Sequence, residues 1–127
     1  MKVDSQARYT EKDEWVRLEG NEAVSGITDY AQNQLSDLVY VELPNVGANL
    51  PKGAPYGTVE SVKAASDVYM PIGGEITAVN DAVVSSPELI NQDAFANWLI
   101  RFRPTDAAEI ESLMTADQYR QYREAAE

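Results

Sequence analysis

The chain has 127 residues, 44% of them hydrophobic and 9% aromatic, enough to bury a modest core and too much for a disordered segment. Its formal net charge is −11, from 21 acidic and 10 basic residues, which argues against nucleic acid, where binding rests on phosphate neutralisation, and against an anionic membrane surface. It has no cysteine and no histidine, so disulfides, intrinsic thiol chemistry, the commonest general base and the commonest metal ligand are all excluded.

At this length one domain is expected over 1–127, with a core at about 9–103 and a helical tail at about 105–126. The opening "MKVDSQARYT" has no apolar signal core, and no stretch reaches transmembrane length, so a cytoplasmic protein is expected. "EWVRLEG" (14–20) alternates as a strand, Gly20–Asn21 is a turn signal, and "EAVSGI" (22–27) is the returning strand. Thr28 then offers an N-cap. Ala31, Leu35 and Leu38 fall at helical spacing, which predicts a short helix from Asp29 to about Ser36. "LVYVEL" (38–43) is β-branched and aromatic, hence a strand. The Pro- and Gly-rich "PNVGANLPKGAP" (44–55) reads as loop.

"YGTVESV" (56–62) and "SDVYM" (66–70) read as hairpin partners, with Lys63, Ala64 and Ala65 between them. "GEITAVN" (74–80) is a further strand ending at an Asn80–Asp81 turn. Ser86, Pro87 and Glu88 open a short helix, and "WLIRF" (98–102) is a last strand. After Pro104 the pattern is helical. Ala107, Ile110, Leu113 and Met114 share one face, Thr115 and Gln118 have capping-box spacing, and Tyr119 and Tyr122 share a face. Trp15 and Trp98 read as core. The fold class expected is mainly β with short helices, a small sandwich or flattened barrel with a helical C-terminal segment.

Lys63 is the only cation between Gly57 and Ile76 and one of four lysines in the chain. Small residues follow it, so a bulky group can approach, and the bracketing strands hold the tip. Those features mark a modification site without naming the modification. No nucleophile–base pair or metal cluster is visible, which argues against a stand-alone enzyme.

"ESVKAASD" (60–67) resembles the attachment motif of the glycine cleavage system H-protein family, whose members are lipoyl carriers. The likeness continues in "EWVRLEG", in "GITDYAQNQLSDLVYVELPNVG" (26–47), in "GEITAVNDAV" (74–83), in "SPELIN" (86–91) and in "ESLMTADQY" (111–119). That family is similar to the lipoyl and biotinyl domains, which share a hairpin-borne lysine. Biotinyl carriers usually have Met on both sides of it. Here Val62 and Ala64 flank it, which favours lipoate.

The resemblance implies lipoic acid joined as an amide to Lys63, a fold of the lipoyl/biotinyl type, and a non-catalytic shuttle. Its partners would be a pyridoxal-phosphate glycine decarboxylase that loads aminomethyl, a tetrahydrofolate-dependent aminomethyltransferase that removes it, a flavin-dependent dihydrolipoyl dehydrogenase that reoxidises the arm, and lipoate-attaching enzymes. Glu14 and Asp67 match the family acids that approach the loaded arm in a sheltering cleft. Glu60 and Ser61 match residues expected to serve recognition by the attaching enzyme. A monomer is expected, because an arm that visits three enzymes gains nothing from a permanent interface. Two alternatives stand beside this: an H-like relay of lipoate to 2-oxoacid dehydrogenases, and an unmodified acidic interaction module. The chain also departs from the family. Asp13 stands where histidine often precedes "EW", the short helix has no histidine, Asn97 replaces the usual glycine, and "MPIGGE" lacks the usual serine.

Overall fold

In the computed structural model, which describes residues 1–126, the strands gather into two antiparallel sheets. The larger has six strands in the order β1 (Arg8–Tyr9), β2 (Glu14–Glu19), β3 (Glu22–Ile27), β9 (Ile100–Pro104), β8 (Gly74–Val79) and β5 (Asn49–Leu50). The smaller holds β4 (Leu38–Glu42), β6 (Pro55–Ser61) and β7 (Ala65–Tyr69), with β6 in the middle. Helices α1 (Asp29–Leu35), α2 (Asp81–Ser85) and α3 (Glu88–Gln92), a 3₁₀ helix (Ala107–Ser112) and α4 (Ala116–Ala126) complete the order. The sheets face each other as a flattened sandwich, and neither closes into a barrel among the described residues.

The main core lies between the sheets. Val41, Val59 and Val68 come from the smaller sheet; Val16, Ile76, Ile100 and Phe102 come from the larger. The larger sheet is covered on its other face too. Tyr9, Trp15 and Val24 pack there with Phe95 and Tyr119 in a second, aromatic cluster. Strand alternation explains this division: Val16 faces one core and Trp15 the other. It also explains why Glu14, Trp15 and Val16 are all buried, where a one-sided sheet would leave every second residue in water.

Local chemistry sets the elements. β2 and β3 pair in unbroken register from Glu14↔Ile27 to Glu19↔Glu22, and the turn uses Gly20 at φ +67°, where a residue with Cβ would be strained. Thr28 caps α1 by accepting the Ala31 N–H, as its position suggests. The expected capping box closes α4: Gln118 N–H donates to Thr115 Oγ1, and Thr115 N–H to Gln118 Oε1. Gly57 lets β4 and β6 approach, since a Cβ there would lie 2.2 Å from the Glu42 carbonyl oxygen.

The structure also corrects the reading. The segment 44–55 is not wholly loop: Asn49 and Leu50 pair with Glu75 and Gly74 as an edge strand. Arg8 and Tyr9 form another two-residue strand against β2. Asp81–Ser85 is helical because Asn80 caps it through the Ala82 N–H, so the Asn80–Asp81 turn is a helix start. Pro87 has helical angles (φ −56°, ψ −29°), as its expected place at the start of the helix requires, and α3, at Glu88–Gln92, has no side-chain cap. The last strand starts two residues later than expected, leaving Trp98 half-buried with the Arg101 guanidinium over its ring. The expected helix after Pro104 is 3₁₀, and Ile110 and Leu113, three apart, both meet the core.

Candidate functional site

Two places carry the predicted site residues. The first is the β6–β7 hairpin. Glu60↔Ala65 is its last ladder pair; Ser61 N–H then donates to the Ala64 carbonyl at 2.8 Å. Ser61 Oγ accepts the Ala64 N–H at 3.2 Å. Val62 and Lys63 are therefore the tip, and Ala65, expected in the loop, is already in β7. Ser61 is buried and holds the turn from below, while Val62 is 92% exposed. Lys63 is exposed and, among the described residues, makes no hydrogen bond or ion pair. A shallow groove beside it is lined by Leu35, Ser36, Asp37, Ser61 and Val62. Glu60 lies on the outward face of the smaller sheet, beside Tyr40 and Ala65.

The second place is the loop from Thr10 into β2. Glu14 is a core residue, only 3% exposed, and each of its carboxylate oxygens accepts one hydrogen bond. Thr10 Oγ1 donates to Oε1 at 2.6 Å, and the Tyr69 backbone N–H donates to Oε2 at 3.1 Å. Burial pushes the Glu14 carboxyl above its ordinary range; those two hydrogen bonds and the Lys12 charge pull it back in part. A solvated surface acid, the alternative for Glu14 on sequence alone, is therefore excluded. Glu14 sits on the wall of a cleft of about 380 Å³, whose sides are Tyr9, Tyr69, Met70, Pro71 and Met114 and whose mouth holds Lys12 and Lys52. The Lys12 Nζ stands 3.8 Å from the centre of the Tyr69 ring.

Asp67 is not brought to Glu14 in the same way. It is exposed on β7, at 3.4 Å from Thr58 Oγ1, and does not line the cleft. Alternation nevertheless points Asp67 to the same face as Tyr69, whose N–H and ring build the cleft wall.

A network that sequence reasoning missed fixes the Glu14 loop from outside. Asp13 adopts φ +68° and aims its carboxylate at α4. There Arg123 Nε and Nη2 grip it as a two-point fork, and the Tyr119 hydroxyl donates to it at 2.7 Å. The Tyr119 proton is thereby committed, so Thr28 Oγ1 donates to the Tyr119 oxygen at 2.8 Å. Burial and the Asp13 charge both raise the Tyr119 hydroxyl pKa, and Asp13 raises that of Arg123. Tyr119 also stacks on Tyr9, centroids 4.6 Å apart. Position 13, where the family often has histidine, is here one half of an ion pair closed 110 residues further on. The buried tail-helix tyrosine was legible as a packed face; its hydroxyl's role was not.

No helix of the described residues is long and apolar enough to cross a membrane. The family model described as "Glycine cleavage H-protein" matches residues 7–126. The glycine cleavage system H protein of Anoxybacillus flavithermus is 46% identical over 122 residues, covering 95% of this chain and 96% of that one. The same-named protein of Thermoanaerobacter pseudethanolicus is 46% identical, covering 96% and 97%. The crystal structure of a glycine cleavage system H protein from Mycobacterium marinum superposes with a TM-score of 0.88 at 36% identity, covering 96% of this chain and 99% of the other. These likenesses favour the carrier reading over a lipoate relay or an unmodified module. The chain belongs to the glycine cleavage H-protein family and is a lipoyl carrier component of the glycine cleavage system.

Proposed function

We propose that Lys63 is the point at which lipoate is attached as an amide, and that the Glu14 cleft shelters the cationic aminomethyl cargo. The observation that carries this reading is the contrast at the tip. Lys63 is presented on a closed two-residue turn, and its nitrogen makes no hydrogen bond or ion pair among the described residues, whereas the lysine and arginines of the six ion pairs are held by carboxylates. Such an amine is free to be acylated, and the ladder behind it keeps its position defined. When bound, the group supplies the dithiolane sulfur that this chain, without cysteine, does not have.

The residues present fit that group. Val62, Ala64 and Ala65 leave the tip unobstructed. The cleft offers apolar walls that exclude water and one buried carboxylate, held in place by Thr10 and Tyr69, to receive a primary ammonium. Asp67, exposed on the face of β7 that Tyr69 shares, is proposed as a second acid for a cationic cargo outside the cleft. Ser61 shapes the turn, and Glu60, on the outward face, is the more available of the two for recognition by a lipoate-attaching enzyme.

The wider reading is one carrier domain that performs no catalysis. It works as a monomer with a pyridoxal-phosphate glycine decarboxylase, a tetrahydrofolate-dependent aminomethyltransferase and a flavin-dependent dihydrolipoyl dehydrogenase. Co-expression with lipoate-attaching enzymes tests the attachment. Intact mass should show one lipoyl adduct on the wild-type chain and none on Lys63→Arg. Reconstitution with the decarboxylase should then give glycine-dependent bicarbonate exchange only with the modified chain. An adduct surviving in Lys63→Arg would overturn the assignment.

A further inference from the structure

We infer that Lys12 is an internal competitor for cationic cargo: its ammonium rests on the Tyr69 ring in the cleft that Glu14 also lines, and it opposes the entry of a second cation there. This deepens the cleft reading above and rests on it. Lys12 and Glu14 line the same cleft, two residues apart on one pinned loop. The loop backbone cannot carry the lysine away. Thr10 Oγ1 accepts the N–H of both Lys12 and Glu14, and Asp13 is clamped to Arg123 and Tyr119. Only the Lys12 side chain is free to move. It is exposed, has no carboxylate within ion-pair distance among the described residues, and rests on the Tyr69 ring 3.8 Å from its centre. That is a weak hold for a flexible ammonium, and a rotamer change releases it on a fast timescale.

The charges explain the competition. The cleft offers one buried carboxylate, Glu14, beside the exposed Glu11, and its second lysine, Lys52, donates to Ser112 Oγ at 3.1 Å on the same lining. Two ammonium groups beside the one buried carboxylate repel each other, the more strongly the less water lies between them. A cargo ammonium bound at Glu14 therefore sits against the charge of Lys12 on the neighbouring Tyr69 ring. Lys12 thus weakens cargo retention, setting a hold loose enough for the next enzyme to collect.

The test uses the unlipoylated chain, with methylammonium chloride as probe and sodium chloride as the ionic-strength control. The readout is the Tyr69 backbone amide resonance, since that N–H donates to Glu14. Lys12→Met, which keeps length and loses charge, should bind methylammonium about three- to tenfold more tightly than wild type. Lys12→Arg, which keeps the charge and the ring contact, should bind no better than wild type. Equal affinity in wild type and Lys12→Met would overturn this inference alone. The absence of any methylammonium response in all three, beyond sodium, would overturn the cleft reading with it. In the lipoylated, cargo-loaded protein, Lys12→Met should also lengthen cargo lifetime by intact mass. A shortened lifetime would make Lys12 a lid rather than a competitor, and would overturn the inference as well.

Discussion

The hairpin tip and the Thr10–Glu14 loop are both short connections next to a β-strand, and each displays one charged residue of interest. They treat that charge in opposite ways. At the tip the backbone is fixed by Ser61 and Ala64 while the Lys63 side chain touches nothing charged among the described residues. In the loop the side chain itself is fixed: Glu14 is buried, doubly hydrogen-bonded and braced by the Asp13–Arg123–Tyr119 network. The lesson is that a carrier divides its labour by environment. An attachment point needs a defined Cα and a free terminus; a receiving carboxylate needs a defined terminus and must bear the cost of burial.

Substitutions break this contrast in order of size. Lys63→Arg should abolish modification outright while leaving the melting temperature unchanged, because nothing in the described structure leans on that nitrogen. Tyr119→Ala should be the most destabilising change on the loop side. It empties the stack on Tyr9 and orphans Asp13 and Thr28, at a cost of about 3–5 kcal/mol in chemical denaturation. Arg123→Ala should cost about 1–3 kcal/mol, since it leaves a partly buried carboxylate with one partner fewer. It should also broaden the Glu14 and Tyr69 amide signals without touching those of the hairpin. Equal broadening of both regions would show that they are not independent.

Glu14→Gln sharpens the contrast most finely. Burial raises the folded-state pKa of Glu14 above its unfolded value, so the folded chain holds that proton more tightly. Its contribution to stability therefore falls as pH rises from the unfolded pKa through the folded one. The glutamine variant, which can still accept from Tyr69 N–H, should match wild type below that window and equal or exceed it at neutral pH. Denaturant midpoints across acidic and neutral pH check this. A growing deficit of the variant with rising pH would mean the carboxylate is stabilised rather than strained by its site. Glu14→Ala, in the loaded protein, should speed hydrolytic loss of cargo.

Local signals made much of this legible. Alternation in "EWVRLEG" and "EAVSGI", the Thr28 cap and the Thr115–Gln118 box each produced the expected element. So did the placement of Lys63 at a turn, though the turn is one residue tighter toward β7 than the small residues suggested. What failed was non-local. Two-residue strands such as Asn49–Leu50 have no period to detect and exist only because β8 passes beside them. Glu14 looked like any of 21 acids until a second apolar layer covered its strand. Asp13 looked like a lost histidine until the tail helix brought Arg123 to it.

The clamp has a consequence for the order in which the molecule is made. The three strands that present Lys63 all lie between Leu38 and Tyr69 and pair with one another, so a chain emerging from the ribosome can complete the hairpin early. The Glu14 loop must wait for Tyr119 and Arg123, which follow the hairpin in the chain. On the proposed attachment, a nascent chain would offer Lys63 to acylation before its cleft is finished. Ribosome-stalled chains released before α4 should accept lipoate while failing to protect the Tyr69 amide from exchange.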